Sequence, residues 1–190
     1  MKFTFRPPTV DDAQMILDWR TTPEITRFMF TDIEYDLERQ RRWLLACENR
    51  QDFVHFIMSV DGRPLGYLSY AQIDRTNLHC TPGIYQKLQP SERHIAGYTN
   101  DFVLDYAFYK LGMNKVVYYV MDGNRNFIKS FAKMKVRSVG VLRDHVFKYE
   151  RFHDVHVFER SRAEWEGARR LFSRETTLAA FEQPGSGPSS

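Results

Sequence analysis

Residues 95–111 read as a helix that leaves one strand and delivers the chain to another, and no other stretch constrains the fold as much. Apolar or aromatic side chains recur at Ile95, Tyr98, Phe102, Val103, Tyr106 and Ala107, and the pattern stops at Leu111-Gly112, with a glycine just past the helix end. Before it, "LHCTPGIYQ" (78–86) reads as a strand. After it, "KVVYYVM" (115–121) is a nearly continuous apolar run, the kind covered on both faces. The flanking segments extend the same theme. "KFTFR" alternates as a strand until Pro7-Pro8 breaks it. Thr9 and Asp12 form a capping-box signal ahead of Val10, Ala13, Ile16 and Leu17 at helical spacing. "EYDLERQRRWLLACE" predicts a second amphipathic helix with Leu37, Trp43, Leu44 and Cys47 inward. "DFVHFIMSV" and "LGYLSYAQID" are strands joined at Asp61-Gly62, a strong hairpin signal. A short helix to about Met134 and two strands, "GVLRDHVFKY" and "RFHDVHVFER", complete the order. Strand, two helices, three strands, helix, strand, helix and two strands predict an α/β (α+β) domain, with helices on a mixed sheet.

Composition excludes several classes. Of the 190 residues, 43% are hydrophobic, too many and too evenly spread for disorder, and the net charge of +3 does not by itself imply nucleic acid. No run approaches the ~18 apolar residues of a membrane span, and the N-terminus lacks a signal-peptide core. Cys47 and Cys80 have no metal spacing, and a reducing cytoplasm is the expected compartment. His145, His153 and His156 with Asp144 and Asp154 alternate across a strand, so no metal-ligand cluster is expected. The arginines of "RSRAEWEGARRLFSR" alternate with acids and predict a solvated helix, without nucleic acid.

The segments "ILDWRTTPEITRFMF", "LGYLSYAQID", "GIYQ", "DYAFYKLGMNKVVYYVMDGN" and "VGVLRDHVFKYERFHDVHVF" occur in one order over roughly residues 3–165. Together they resemble the GCN5-related N-acetyltransferase (GNAT) superfamily. Within it they are most similar to the N-acetyltransferases of pseudaminic acid biosynthesis that act on UDP-4-amino-4,6-dideoxy-N-acetyl-beta-L-altrosamine. The resemblance implies a twisted, mostly antiparallel sheet of about seven strands with helices on both faces. It implies a domain over residues 1–165, and the sequence adds a helical extension over 166–183 and a disordered tail over 184–190. It implies acetyl-CoA as co-substrate, no metal, a small-molecule nucleotide-sugar partner, no membrane, and a monomer or homodimer.

Site residues follow from the same resemblance. The arm of acetyl-CoA would add to the strand edge at Ile84, Tyr85 and Gln86. Its pyrophosphate would lie at the helix start formed by Arg93, His94, Ile95, Ala96, Gly97 and Tyr98, where free amides and the helix dipole favour anions. The family pattern Arg/Gln-x-x-Gly-x-Gly/Ala is met here by Glu92, Ile95 and Gly97, one of three places. Asn124 matches an asparagine that contacts the cofactor, and Phe131 stands where the family has a tyrosine that protonates the departing thiolate. Ser69 matches the serine that handles the amine, and Arg20, Met29 and Phe30, joined by Trp43, fall on nucleotide-sugar positions. The reading of the residues leaves two further options open: acetylation of a protein N-terminus or antibiotic amine, and a non-catalytic binding domain of the same fold.

Overall fold

The computed structural model describes residues 1–181, so the tail expected at 184–190 lies outside the described residues. Seven strands form one sheet: β1 (Phe3–Arg6), β2 (Val54–Val60), β3 (Arg63–Asp74), β4 (His79–Gln86), β5 (Lys115–Met121), β6 (Arg137–Lys148) and β7 (Arg151–Ser161). Their order is β1-β2-β3-β4-β5-β7-β6. Every neighbouring pair is antiparallel except β4–β5. The helices are α1 (Ala13–Arg20), α2 (Pro23–Thr26), α3 (Leu37–Cys47), α4 (Ile95–Asp105), α5 (Arg125–Lys133), α6 (Arg162–Glu166) and α7 (Arg174–Ala179). The expected element order is therefore present. α4 ends in a wider π-helical turn over Tyr106–Lys110, and Gly112 follows with φ +74°, a conformation glycine adopts without a Cβ clash.

Both faces of the sheet are covered. Ala13 and Ile16 of α1 and Leu44 of α3 pack on Ile57 and Tyr67. On the other face, Phe102, Val103 and Leu104 of α4 join Phe3, Phe5, Phe56, Tyr70, Val116, Tyr118, Phe131, Phe158, Trp165 and Phe181 in the main core. Tyr70 ties the layers by donating its hydroxyl to the Val103 carbonyl at 2.8 Å. Cys47 and Cys80 are both free and buried, and burial pushes the Cys80 thiol up to about 12, so it packs as a small apolar group.

The C-terminal stretch departs from its expected solvated helix. Only residues 162–166 and 174–179 are helical, and Trp165 is 1% exposed. The cause lies in α4, where Asp101 and Asp105 sit one turn apart on a buried face. Asp105, fully buried, accepts from the Trp165 indole N–H at 2.8 Å and also from Arg170 and the Thr177 hydroxyl. Asp101 accepts from the backbone amides of Leu171 and Phe172 at 2.6 and 3.0 Å. The segment ends with Phe5 donating to the Ala180 carbonyl at 2.7 Å and Phe181 stacked on Phe5. Buried carboxylates need such donors, and they draw an arginine-rich segment inward.

Candidate active site

β4 and β5 are paired only at His79↔Lys115 and Cys80↔Val116. Beyond that point the parallel strands part, leaving the edge of Pro82–Gln86 unpaired with β5. A cavity of ≈ 540 Å³ lies at this opening, between the sheet and the α1–α3 layer. "KVVYYVM" is accordingly covered on one face by the core, while Tyr119 on the other is 40% exposed and faces the cavity. An open splay, rather than a second helical layer, makes that difference.

One cavity wall is aromatic and follows from strand pairing. Tyr67 of β3 lies opposite Tyr85 of β4, their rings stacked at 5.3 Å and 12°. His55 of β2 accepts or donates at 2.6 Å to the Tyr67 hydroxyl, and Trp43 and Phe53 pack edge-on against the imidazole. Burial, aided by Arg50, pushes the His55 imidazole down to about 4, so it is neutral at physiological pH. The strands approach closely here because of Gly66: a Cβ on it would sit 2.6 Å from the Tyr85 carbonyl oxygen.

Ser69, two residues beyond Tyr67 and on the same face, lines the cavity with its hydroxyl 3.4 Å from the Gly83 carbonyl. Arg20, at the end of α1, also lines it. Its guanidinium donates to the Thr31 carbonyl at 2.7 Å and to the hydroxyls of Thr26 and Thr31 at 3.2 and 3.3 Å. Among the described residues no carboxylate stands within ion-pair distance of it. Burial lowers its pKa, yet a guanidinium keeps its charge at neutral pH.

Of the residues singled out in the sequence, Ser69, Ile84, Tyr85, Asn124, Arg20, Met29 and Trp43 converge on this cavity. Trp43 was expected inward on α3 by its spacing and among the nucleotide-sugar residues by the resemblance. It is 38% exposed and forms part of the cavity wall, because α3 turns that face toward the splay rather than onto the sheet. Asn124 makes no side-chain cap for α5 and lines the cavity instead. Phe30 points away, exposed, while its neighbours Phe28 and Met29 line the wall. Phe131 is 2% exposed and packs among the rings of Phe127, Tyr118 and Phe158 at 4.6, 4.8 and 5.1 Å, so it belongs to the core and not to the cavity wall.

Gln86 and the helix start, Arg93 to Tyr98, lie outside the cavity lining. Arg93, His94, Ala96 and Gly97 are exposed there, Tyr98 is partly buried, and Ile95 turns into the core. Ile95 keeps an ordinary negative φ, so losing a glycine at that place does not distort the backbone. Glu92 is engaged in capping, accepting from the Gln89 amide at 2.8 Å and pairing with Arg63. Two lining residues that sequence reasoning missed complete the wall: Tyr67 and Phe28. Only the alternation of "LGYLSY" could have pointed to the first.

A splayed parallel pair inside an antiparallel sheet, with a helix start at the end of the splayed strand and a cavity over it, defines an acyl-CoA-type transferase fold. The chain belongs to the GNAT acetyltransferase family: residues 2–137 match the family model described as an acetyltransferase (GNAT) domain. It is similar to the acetyltransferase PseH of Campylobacter jejuni subsp. jejuni, 27% identical over 120 residues, which are 63% of this chain and 73% of that protein. It is also similar to an uncharacterised N-acetyltransferase, p20, of Bacillus licheniformis, 22% identical over 171 residues covering 87% and 96% of the two chains. Among solved structures it shares its fold with a spermidine N-acetyltransferase from Vibrio cholerae in complex with CoA and spermine, with TM-score 0.80, 15% identity, and 87% and 99% of the chains covered.

Proposed function

We propose that this acetyltransferase moves the acetyl group of acetyl-CoA directly to the amino group of a nucleotide-linked (UDP) aminosugar. The observation that carries this reading is Arg20. A partly buried cation without an ion-pair partner, set in a cavity walled by Trp43, Tyr67, Tyr85, Phe28 and Met29, suits a π-faced or anionic group. Polyamine acetylation is the second reading, since Glu34 and Asp36 also line the cavity and would accept a cation, and the spermidine titration below decides between the two. The similarity to PseH points the same way.

The acyl donor fits the other end of the site. The edge of Gly83–Gln86 offers unpaired backbone groups to an amide-bearing arm, as an added strand would use them. At the start of α4 the Gly97 amide donates to the His94 carbonyl at 3.1 Å, which leaves the amides of Ile95 and Ala96, with exposed Arg93 and His94, to receive a pyrophosphate. When bound, acetyl-CoA supplies a thioester carbonyl for attack by a neutral amine. Ser69 and the Tyr67 hydroxyl lie on one face of β3 and orient that amine by hydrogen bonds. Among the described residues, those lining the cavity include no nucleophile–base pair of the Ser-His or Cys-His kind, which accords with direct transfer. Calorimetric titration tests the reading: UDP-aminosugar and acetyl-CoA should each bind, and spermidine should not. Binding of spermidine without binding of the nucleotide sugar would reject it.

A further inference from the structure

The wall of the cavity formed by residues 26–32 is irregular chain beyond the last residue of α2, yet it is held from two sides. Arg20 grips it from α1. From the far edge of the sheet, Lys148 reaches the same loop, and the two residues are 128 positions apart in sequence. β6 is exposed along nearly its whole length, with only Val146 and Lys148 buried. The Lys148 side chain is 3% exposed, which is unusual for lysine and demands partners. Its ammonium donates to the carbonyls of Thr26 and Met29 at 2.6 and 2.9 Å and pairs with Asp32 Oδ1 at 2.8 Å. An ammonium carries three N–H groups, and three acceptors converge on it. Asp32 in turn accepts from the Thr26 hydroxyl at 2.9 Å, and that hydroxyl accepts from Arg20.

Lys148 is itself held. His153 of β7, 6% exposed, contacts the Lys148 carbonyl oxygen through Nε2 at 3.1 Å and Asp122 Oδ1 through Nδ1 at 3.3 Å. Asp122 follows β5 and precedes Asn124, which lines the cavity from the side of the splay. A continuous set of contacts thus runs from the β5–α5 turn through His153 and Lys148 to the loop bearing Met29 and Thr31.

We propose that Lys148, held by His153 and Asp122, is a positioning residue for acceptor binding: its ammonium fixes the 26–32 loop against the cavity and so sets the contacts of Phe28, Met29 and Arg20 with the acceptor. This rests on the acceptor reading above. A lysine suits the task because a compact ammonium meets three convergent oxygens, whereas a planar guanidinium does not fit the same place.

The test uses Lys148→Met, of similar length without charge, and the milder Asp32→Asn on the exposed side of the pair. Three quantities are read: trypsin cleavage after the exposed Arg27, acetyl-CoA affinity, and steady-state transfer from acetyl-CoA to a UDP-linked 4-amino-4,6-dideoxy sugar. For Lys148→Met, cleavage after Arg27 should speed up about tenfold, and the acceptor KM should rise about tenfold. kcat and acetyl-CoA affinity should stay within about twofold of wild type. Asp32→Asn should shift the first two quantities in the same direction, about threefold. A merely structural lysine would lower kcat and acetyl-CoA affinity as well as raise KM. Unchanged cleavage and acceptor KM in a folded Lys148→Met overturn the proposal, and if that variant does not fold, unchanged values in Asp32→Asn do so. If the wild type transfers nothing to the nucleotide sugar, the acceptor reading fails on its own, and cleavage after Arg27 still decides whether Lys148 holds the loop.

Discussion

Gly97→Ala separates what α4 needs for folding from what its start needs for binding. Gly97 is in the first turn of the helix, has no positive φ, and would carry a Cβ with no atom within 4 Å. Nothing in the fold requires glycine there. Replacing glycine by alanine at such a helical position removes unfolded-state freedom and adds helix propensity, together worth about 0.5–1 kcal/mol of added stability. For a chain of this size that raises Tm by roughly 1–4 °C. The same methyl projects at the exposed end where the pyrophosphate of acetyl-CoA would approach the backbone. If the amides of Ile95 and Ala96 hold it at hydrogen-bond distance, the methyl crowds that approach, and affinity falls about tenfold, or about 1.4 kcal/mol. Thermal unfolding without ligand and calorimetric titration of acetyl-CoA read the two effects independently. Greater stability with unchanged affinity would refute the placement of the pyrophosphate on this helix. Lower stability would refute the structural reasoning.

Other substitutions probe the remaining elements. Arg20→Ala should weaken binding of the nucleotide sugar by about 1–3 kcal/mol and leave acetyl-CoA binding nearly unchanged; equal weakening of both in titrations would reassign Arg20 to the fold. Asp105→Ala strands the buried donors of Trp165, Arg170 and Thr177 and should cost about 3–5 kcal/mol in urea unfolding, with a loss under about 1 kcal/mol contradicting the reading. His55, whose folded pKa is depressed to about 4, binds its proton more readily when unfolded. Stability should therefore fall as pH drops from about 6.5 toward 4, by up to about 3 kcal/mol from this group, and His55→Phe should flatten that slope in pH-dependent unfolding.

Much of the fold was legible because local patterns and tertiary needs agree. Asp61-Gly62 forms the hairpin it signals, Gly112 ends the helix it was expected to end, and the apolar positions of α1 and α4 face the core. What was not legible depends on partners distant in sequence. Trp165 is core only because Asp105, 60 residues earlier, offers a buried acceptor to its indole. The parting of β4 from β5 leaves no periodic trace, so the periodicity of "KVVYYVM" does not assign Tyr119 to a cavity. Lys148 reads as a surface residue of an edge strand, and its burial follows from three oxygens that a loop 120 residues away happens to converge. The resemblance supplied the candidate roles. The cavity brings Arg20, Met29, Ser69 and Asn124 together, whereas Phe131 and Phe30 lie elsewhere.

The central claim is best tested by following CoA release from acetyl-CoA with purified protein and three acceptors: a UDP-linked 4-amino-4,6-dideoxy sugar, the same aminosugar without its nucleotide, and spermidine. A cavity that recognises its acceptor through Arg20 and an aromatic wall gives CoA release with the first, far less with the second, and none with the third. CoA release with spermidine, or equal rates with and without the nucleotide, would contradict the assignment.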